Sequence, residues 1–248
     1  MGLGSGAILA AVGWVAPCGS VVTLSALFRD RHVTLFSVRS IAGGGSGWPR
    51  GATKVSGRSS VLLVRPLVPP DPPLQDGDLL LRPSREADAP AIRALYSEPD
   101  IRRWMGWDDQ PPDDAEALAN IERAAASWQE GSWAVFRIAD AATDEVIGGV
   151  NLRFADHDIA EVSYFLSAAA RGRGRATRAV RLVARWTFDE LGIERIELRA
   201  HPDNAPSRRV AERAGFRREG VERASRAWPD GTRFDSVVYS LLRTDPIP

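Results

Sequence analysis

Hydrophobic and polar positions follow regular periods from Leu79 onward. LLLRP, which begins at Leu79, is an apolar run of strand length, and ADAPAIRALYS places its large apolar side chains on one face of a helix. A second helix is predicted from Asp114 to about Gln129, where acidic residues in the first turn complement the helix dipole. The intervening DIRRWMGWDDQPPDD has no period, and we expect a loop there.

The second half of the chain alternates between strands and helices. SWAVFRIAD and EVIGGVNLRF read as strands around the turn DAATDE, and IAEVSYFLS follows as a third strand. A helix is predicted over 175–190, then the strand ERIELRA and a helix in NAPSRRVAERAGF that Gly215 ends. Two last strands, near 217–226 and 233–242, flank the turn WPDGT. The pattern predicts one α+β domain around a mixed, mostly antiparallel sheet.

The N-terminal part of the chain differs from this domain. Residues 1–60 are rich in Gly and Ser and have no sustained period, so we predict a disordered extension, translated from upstream of the true start codon. Residues 61–78 end in VPPDPPLQDGD and are expected to be a proline-rich linker, with the folded domain at 79–243. The charge-free run from Gly2 to Phe28 invites a signal-peptide or membrane-span interpretation. No basic residue precedes it, however, and Pro17 interrupts it.

Composition excludes several function classes. The formal net charge is zero, so we expect neither a nucleic-acid nor a membrane partner, and a cytoplasmic location. The single Cys18 excludes an internal disulfide and a multi-cysteine zinc site. The three histidines have no ligand partner at useful spacing, and we expect no metal.

Candidate chemistry is concentrated in RGRGRATRAV, which joins a strand to a helix. Gly172 and Gly174 allow backbone conformations that turn successive amides toward one point, and the helix start adds its free N–H groups. The guanidinium groups predicted to surround that point are those of Arg171, Arg173, Arg175 and Arg178. Such a pocket suits a pyrophosphate.

Two other interpretations of this segment stay open from the residues alone. One is a solvated basic loop. The other is a dinucleotide-binding loop, because Glu197 lies on the next strand, although Thr177 stands where that motif has its third glycine. A Walker loop is excluded, since the Gly-Lys-Ser/Thr sequence is absent.

The order of the motifs resembles a known family. Arg171-x-x-Gly174-x-Ala176, followed by Asn204-x-x-Ser207 and by Ala-Gly-Phe at 214–216, resembles the GNAT superfamily of acetyl-CoA-dependent N-acetyltransferases. LRP…AD at the front and RREG after Phe216 look like its ribosomal-protein-type (RimJ/RimL-like) branch. The resemblance covers residues 79–242 and implies the GNAT fold, with a six- to seven-stranded sheet flanked by helices.

The resemblance also implies how acetyl-CoA is held. The loop that matches the family's pyrophosphate-binding loop consists of Arg171, Gly172, Arg173, Gly174, Arg175 and Ala176. The preceding strand of such a fold splays from its neighbour, and the main chain of Phe165, Leu166 and Ser167 would contact the pantetheine arm. An amide there would also stabilise the oxyanion of the tetrahedral intermediate. Phe165 and Leu166 are equally suited to the core.

Candidate catalytic residues follow from the same alignment of motifs. Glu161 is the candidate general base, acting through water, and the alternative is a surface carboxylate. The family's usual acid is a tyrosine at the position of Ala211, so Ser207 is the substitute; its alternative is a first-turn helix residue. Asn204 would bridge to CoA or serve as an N-cap.

The acceptor is the part that the sequence defines least. Trp104 and Trp107 lie where family members cover the acceptor, and core packing is their alternative. The predicted function is transfer of acetyl from acetyl-CoA to a primary amine, either a protein N-terminus or a small molecule. The alternatives are a non-catalytic acyl-CoA-binding module and a nucleotide-dependent oxidoreductase. The last two strands would also suit a homodimer contact.

Overall fold

The computed structural model describes residues 9–11, 21–28, 31–38, 66–107, 110–156 and 159–248. They belong to two compact units, Met1–Arg65 and Pro66–Pro248. The first contains an antiparallel sheet of β1 (Leu9–Ala11), β2 (Val21–Phe28) and β3 (Arg31–Val38) in that order. These strands differ from the disorder predicted for 1–60. The rest of that segment lies outside the described residues, and its assignment as an extension stays a prediction.

The second unit is an α+β domain around one sheet. Its elements are β4 (Leu74–Asp76), β5 (Leu79–Arg82), α1 (Ala89–Ser97), α2 (Pro99–Met105), α3 (Asp114–Glu130), β6 (Trp133–Asp140), β7 (Val146–Asp156), β8 (Ile159–Leu166), α4 (Arg175–Glu190), β9 (Arg195–Ala200), α5 (Ala205–Ala214), β10 (Arg217–Ala227) and β11 (Arg233–Leu242). The strand order is β10-β11-β9-β8-β7-β6-β5-β4, and every pair is antiparallel except β8 with β9. The predicted fold class is confirmed, and α4 has the predicted bounds.

The sheet has eight strands rather than six or seven because β4 adds one at its edge. β4 pairs with β5 through the turn at Gly77, which has a left-handed φ of 55°. This strand lies in the segment predicted to be a linker. The compact unit accordingly begins at Pro66, before the predicted boundary at Leu79.

The predicted loop between the first two helices contains the short helix α2. Pro99 occupies its first turn, where a missing N–H has no consequence, and Gly106 ends it with a left-handed φ of 68°. Both signals are present in the sequence. The seven residues are too few for an apolar period to be visible.

The two faces of the sheet have different surroundings. One face packs against α4 and α5. Phe136, Leu152 and Val162 lie on this face, in a cluster that includes Trp186 of α4 and Trp128 of α3. On the opposite face, Phe165 packs against residues of α1 and α2. Within the described part of the chain, no helix is both long and apolar enough to cross a membrane.

Candidate active site

The parallel strands β8 and β9, both described over their whole length, are paired over a short stretch. The paired residues are Ile159 with Arg195, Ala160 with Ile196, and Glu161 with Glu197. Beyond Glu161 the ladder ends, whereas β8 stays paired with β7 as far as Leu166. The sheet is therefore open between the C-terminal half of β8 and the neighbouring strand, and we call this opening the gap.

Main-chain groups of β8 point alternately toward β7 and toward the gap. The N–H of Ser167 donates to the carbonyl of Ile147 at 2.9 Å, so Ser167 and, two residues earlier, Phe165 turn their main chain toward β7. Leu166 and Tyr164 turn theirs toward the gap. The predicted pantetheine contact thus fits Leu166, but the main chain of Phe165 and Ser167 is directed away. Strand register decides this, and the sequence does not show it.

The loop after β8 reaches α4 through two left-handed glycines. Gly172 has a φ of 83° and Gly174 a φ of 72°. Gly174 is the N-cap of α4 and has no side chain to cap it, so the first helical hydrogen bond runs from Arg178 N–H to the Gly174 carbonyl at 3.1 Å. The preceding N–H groups of the first turn have no helical acceptor. Free N–H groups at a helix start can donate hydrogen bonds to an anionic group such as a phosphate.

The side chain of Arg171 in this loop, in contrast, is engaged with carboxylates. Arg171 Nη1 lies 2.8 Å from Asp100 Oδ2 at the start of α2, and its Nε donates to the carbonyl of Leu166 at 3.1 Å. Arg173 is exposed. The side chain of Arg171 therefore joins the loop to α2 and to the end of β8. The sequence predicts instead that this side chain surrounds a ligand.

Two further arginines bind the β4–β5 hairpin. Arg175 Nη2 lies 2.8 Å from Asp78 Oδ2, and Arg178 Nη1 lies 2.7 Å from Asp78 Oδ1. Arg178 also bonds to Asp76 Oδ2 at 2.8 Å. The hydrogen bonds from Arg175 and then Arg178 lower the pKa of Asp78 to about 2. These guanidinium groups fix the start of α4, and the loop offers a ligand mainly its main chain.

A cleft of about 780 Å³ runs from this loop past the gap to the far side of the sheet. Two predicted site residues, Ser167 and Arg173, are not in its wall. The predicted site residues that line it are Trp104, Trp107, Glu161, Phe165, Leu166, Arg171, Gly172, Gly174, Arg175, Ala176, Asn204 and Ser207. The structure therefore brings most of the predicted site into one cleft.

At the start of α5, Asn204 and Ser207 make the contacts of a helix cap. The Asn204 side-chain oxygen accepts from the Ser207 N–H at 3.1 Å, which is the N-cap alternative. Ala211, at the position of the family's usual acid, is fully buried. Sequence reasoning missed a neighbour of Ser207: the hydroxyl of Tyr164 lies 2.9 Å from Ser207 Oγ. Burial raises the pKa of Tyr164 to about 12. Because side chains alternate between the two faces of β8, the Tyr164 side chain lies on the face that packs against α4 and α5.

Glu161 lies in the cleft but among arginines. Its Oε2 is 2.7 Å from Arg153 Nη2 and 3.5 Å from Arg199 Nη1, and its Oε1 accepts from Arg226. A carboxylate has about four lone-pair positions, so a water can still bind beside these donors. The charged partners come from β7, β9 and β10, and no local pattern in the sequence indicates them.

An aromatic wall closes the far end of the cleft. Its members are Trp104, His201, Trp228 and Phe234. The Trp104 and His201 rings are 5.6 Å apart, and Trp228 stacks on Phe234 at 4.3 Å. Three of the four were not predicted, because the wall is assembled from α2, the loop after β9 and the β10–β11 hairpin.

Trp107 has a different environment from Trp104. Its ring lies 4.4 Å from that of Tyr96 and 6.1 Å from that of Phe165, which agrees with the core-packing alternative. Asp108 and Asp109, which follow Trp107 in the chain, lie outside the described residues. Among the residues that the structure describes, no group of His, Cys, Asp and Glu side chains is arranged to hold a metal ion.

Comparison with known proteins identifies the family of this domain. The model of the acetyltransferase (GNAT) domain matches residues 78–217. The uncharacterized N-acetyltransferase YoaA of Bacillus subtilis (strain 168) is 30% identical over 174 residues, covering 69% of this chain and 97% of that protein. The chain belongs to the GNAT acetyltransferase family. It is therefore an acetyl-CoA-dependent N-acetyltransferase, and the dinucleotide-loop interpretation is set aside.

Solved structures of GNAT proteins have the same fold. A GCN5-related N-acetyltransferase from Brucella melitensis superposes with a TM-score of 0.60 at 28% identity, covering 71% of this chain and 80% of that one. Mycobacterium smegmatis RimJ in complex with CoA-disulfide gives a TM-score of 0.61 at 25% identity, covering 68% and 85%. The GNAT fold predicted from the motif order is confirmed.

Proposed function

We propose that this GNAT enzyme transfers acetyl directly to a primary amine that enters from the aromatic side of the cleft. The observation that carries the proposal is the gap between β8 and β9, which connects the glycine loop to the aromatic wall through the sheet. Acetyl-CoA and an amine can approach from opposite sides and meet there. Bringing the two reactants together in this way supplies much of the rate acceleration.

In this arrangement acetyl-CoA lies along the loop and the gap. The pyrophosphate would bind the free N–H groups at the start of α4, next to Gly174. The pantetheine arm would use the main chain of Leu166 and Tyr164, and the Asn204 side-chain N–H₂ is free of the cap contact made by its oxygen. A main-chain N–H on the gap side would stabilise the oxyanion.

The two catalytic candidates lie on different faces of β8. Glu161 projects to the face that carries Phe165, and Tyr164, the partner of Ser207, projects to the other. Glu161 would accept the amine proton through a water, and Ser207 would bind the thioester sulfur. The C–N bond then forms as the C–S bond breaks with its electron pair on sulfur. Both assignments stay predictions.

The acceptor is either a protein N-terminus or a small-molecule amine. The similarity to M. smegmatis RimJ supports the RimJ/RimL-like branch, and the resemblance to that ribosomal-protein-type branch favours a protein acceptor. The wall of Trp104, Trp228 and Phe234 suits an amine carried on an apolar or aromatic body. Pairing between subunits through β10 and β11, and a cytoplasmic location, stay predictions.

Two measurements test the function. Calorimetric titration with acetyl-CoA should give one site per chain, and free-thiol release should rise above the hydrolysis rate with at least one member of a panel of peptides and small amines. Binding without turnover across the panel would instead support the non-catalytic acyl-CoA-binding module. Absence of acetyl-CoA binding would contradict both.

A further inference from the structure

Two hydroxyl groups meet between β8 and the first turn of α5. The phenol oxygen of Tyr164 lies 2.9 Å from Ser207 Oγ and 3.2 Å from the Ser207 main-chain carbonyl. Both residues line the cleft beside the gap. Tyr164 comes from the strand whose main chain faces the gap, and Ser207 from the helix that follows β9.

The proton count of this pair decides what Ser207 can offer a ligand. Burial keeps the Tyr164 phenol protonated throughout the working range of pH, since its pKa is raised to about 12. A protonated phenol has one hydrogen to donate, and a serine hydroxyl also has one. The phenol hydrogen has two acceptors within reach, the Ser207 carbonyl at 3.2 Å and Ser207 Oγ at 2.9 Å. When the phenol donates to Oγ, the serine hydrogen is free to point into the cleft. If the phenol is lost, no other side chain that the structure describes donates to Oγ.

We propose that Tyr164 is a positioning residue that turns the Ser207 hydroxyl hydrogen toward the thioester sulfur of acetyl-CoA. The inference rests on the proposed function. During transfer, the amine nitrogen bonds to the acetyl carbon and the C–S bond breaks with its electrons on sulfur. The amine proton passes to the base, and no proton leaves either hydroxyl. The hydrogen bond from Ser207 stabilises the charge that develops on sulfur.

In the proposal, this pair supplies the hydrogen-bond donor to sulfur that the family usually takes from a tyrosine at the position of Ala211. Ala211, one turn further along α5, is fully buried and has no polar group. Tyr164 reaches the start of the same helix from the opposite direction. A phenol from the strand and a hydroxyl from the helix would together supply the single hydrogen-bond donor.

The test uses three substitutions in the full chain, with acetyl-CoA and an amine that the wild type acetylates. Tyr164→Phe and Ser207→Ala should each lower kcat by about tenfold to a hundredfold, the range for one hydrogen bond to a charged group. The KM for acetyl-CoA should stay within about twofold, because the bond strengthens with charge on sulfur. The double variant should be no slower than the slower single variant. Ser207→Thr, which restores a hydroxyl, should recover most of the loss.

Tyr239→Phe is the matched control. Tyr239 is buried on β11, its hydroxyl bonds to Glu212 Oε1 at 3.3 Å, and it does not line the cleft. Its substitution should leave kcat unchanged. The proposal is overturned if Tyr164→Phe has wild-type kcat, if the two losses multiply in the double variant, or if Ser207→Thr is as slow as Ser207→Ala while thermal unfolding is unchanged. Wild-type turnover in the same assay tests the proposed function separately.

Discussion

Arg175 and Asp78 join the start of helix α4 to the β4–β5 hairpin, with Nη2 and Oδ2 2.8 Å apart. The hairpin is thereby a support for the loop that would bind pyrophosphate. Arg178, one turn further into α4, bonds to the other oxygen of Asp78. The arginines look like ligand-binding groups in the sequence. In the structure two of them hold the start of the helix in place, and its free N–H groups are the pyrophosphate ligands that we propose.

Asp78→Asn should therefore weaken acetyl-CoA binding without touching the ligand site itself. The neutral amide loses the charge that fixes Arg175 and Arg178, and we expect the dissociation constant to rise about threefold to tenfold. Asp189→Asn, an exposed carboxylate near the other end of α4, is the control and should bind normally. Calorimetry measures both. Equal affinity in the two variants would contradict a supporting role for the hairpin.

The same carboxylate should contribute to acid stability. The pKa of Asp78 is lowered to about 2, against about 3.9 in an unfolded chain. A lowered pKa in the folded state gives stability that is present above about pH 4 and is lost as the pH falls toward about 2. Asp78 is almost half exposed, so solvent screens the effect. Urea midpoints at pH 7 and pH 3 should differ more for the wild type than for Asp78→Asn, and equal differences would exclude this contribution.

Gly174 permits a clean separation of strain from ligand binding. An added Cβ at Gly174 or at Gly192 would meet no atom within 4 Å, and the two residues have similar left-handed φ values, 72° and 68°. Substitution by alanine should cost each about 1 kcal/mol of unfolding free energy. Gly174→Glu should in addition abolish acetyl-CoA binding by repelling the pyrophosphate, whereas Gly192→Glu should bind normally. Chemical unfolding and calorimetry on the four variants check this, and retained binding by Gly174→Glu would place the pyrophosphate elsewhere.

How much of this molecule the sequence predicts depends on the range of the interactions. Helix α4 was predicted with its bounds because its apolar period is long and Gly174 precedes it. The partner of Arg175 lies 97 residues away in the chain, so no local pattern could reveal that this arginine is engaged. The same holds for the arginines around Glu161, and for Trp228 and Phe234 in the aromatic wall.

Strand register is the second feature that could not be predicted from the sequence. The resemblance to the family predicts that β8 lies beside the acetyl group, but not which of its residues turn their main chain toward the gap. A shift of one residue exchanges the two sides of a strand. Leu166 was therefore predicted together with Phe165 and Ser167, and Tyr164 was passed over. The resemblance to the family points to this segment, and the main-chain hydrogen bond of Ser167 shows which of its residues face the gap. Their contact with the pantetheine arm stays a prediction.

Trp104 and Trp107 should separate into a substrate contact and a packing residue. Trp104→Ala should raise the KM for the amine about tenfold and leave the KM for acetyl-CoA unchanged, because its ring faces His201 in the aromatic wall. Trp107→Ala should lower the unfolding free energy by about 2 kcal/mol, since its ring packs on Tyr96 and Phe165. Steady-state kinetics and chemical unfolding distinguish the two. The reverse pattern would exchange their roles.

Glu161→Gln tests whether this carboxylate accepts the amine proton or serves only as an ion-pair partner. The glutamine keeps the shape and can still accept hydrogen bonds from Arg153 and Arg226, but it is no longer a base. If Glu161 is the base, kcat/KM at pH 7 should fall about a hundredfold or more, while acetyl-CoA binding is retained.

Glu197→Gln is the control for that substitution. Glu197 is the strand partner of Glu161 on β9 and lies 2.7 Å from Arg199, yet it does not line the cleft. Glu197→Gln should lower the melting temperature by a small amount, as Glu161→Gln should, because each removes one charge from the arginine network. Its kcat/KM should stay within about twofold of the wild type. Equal losses of activity in the two variants would show that the arginine network, rather than a proton acceptor at Glu161, is what the enzyme requires. Rising activity of Glu161→Gln at higher pH, where more of the amine is neutral, would support the base.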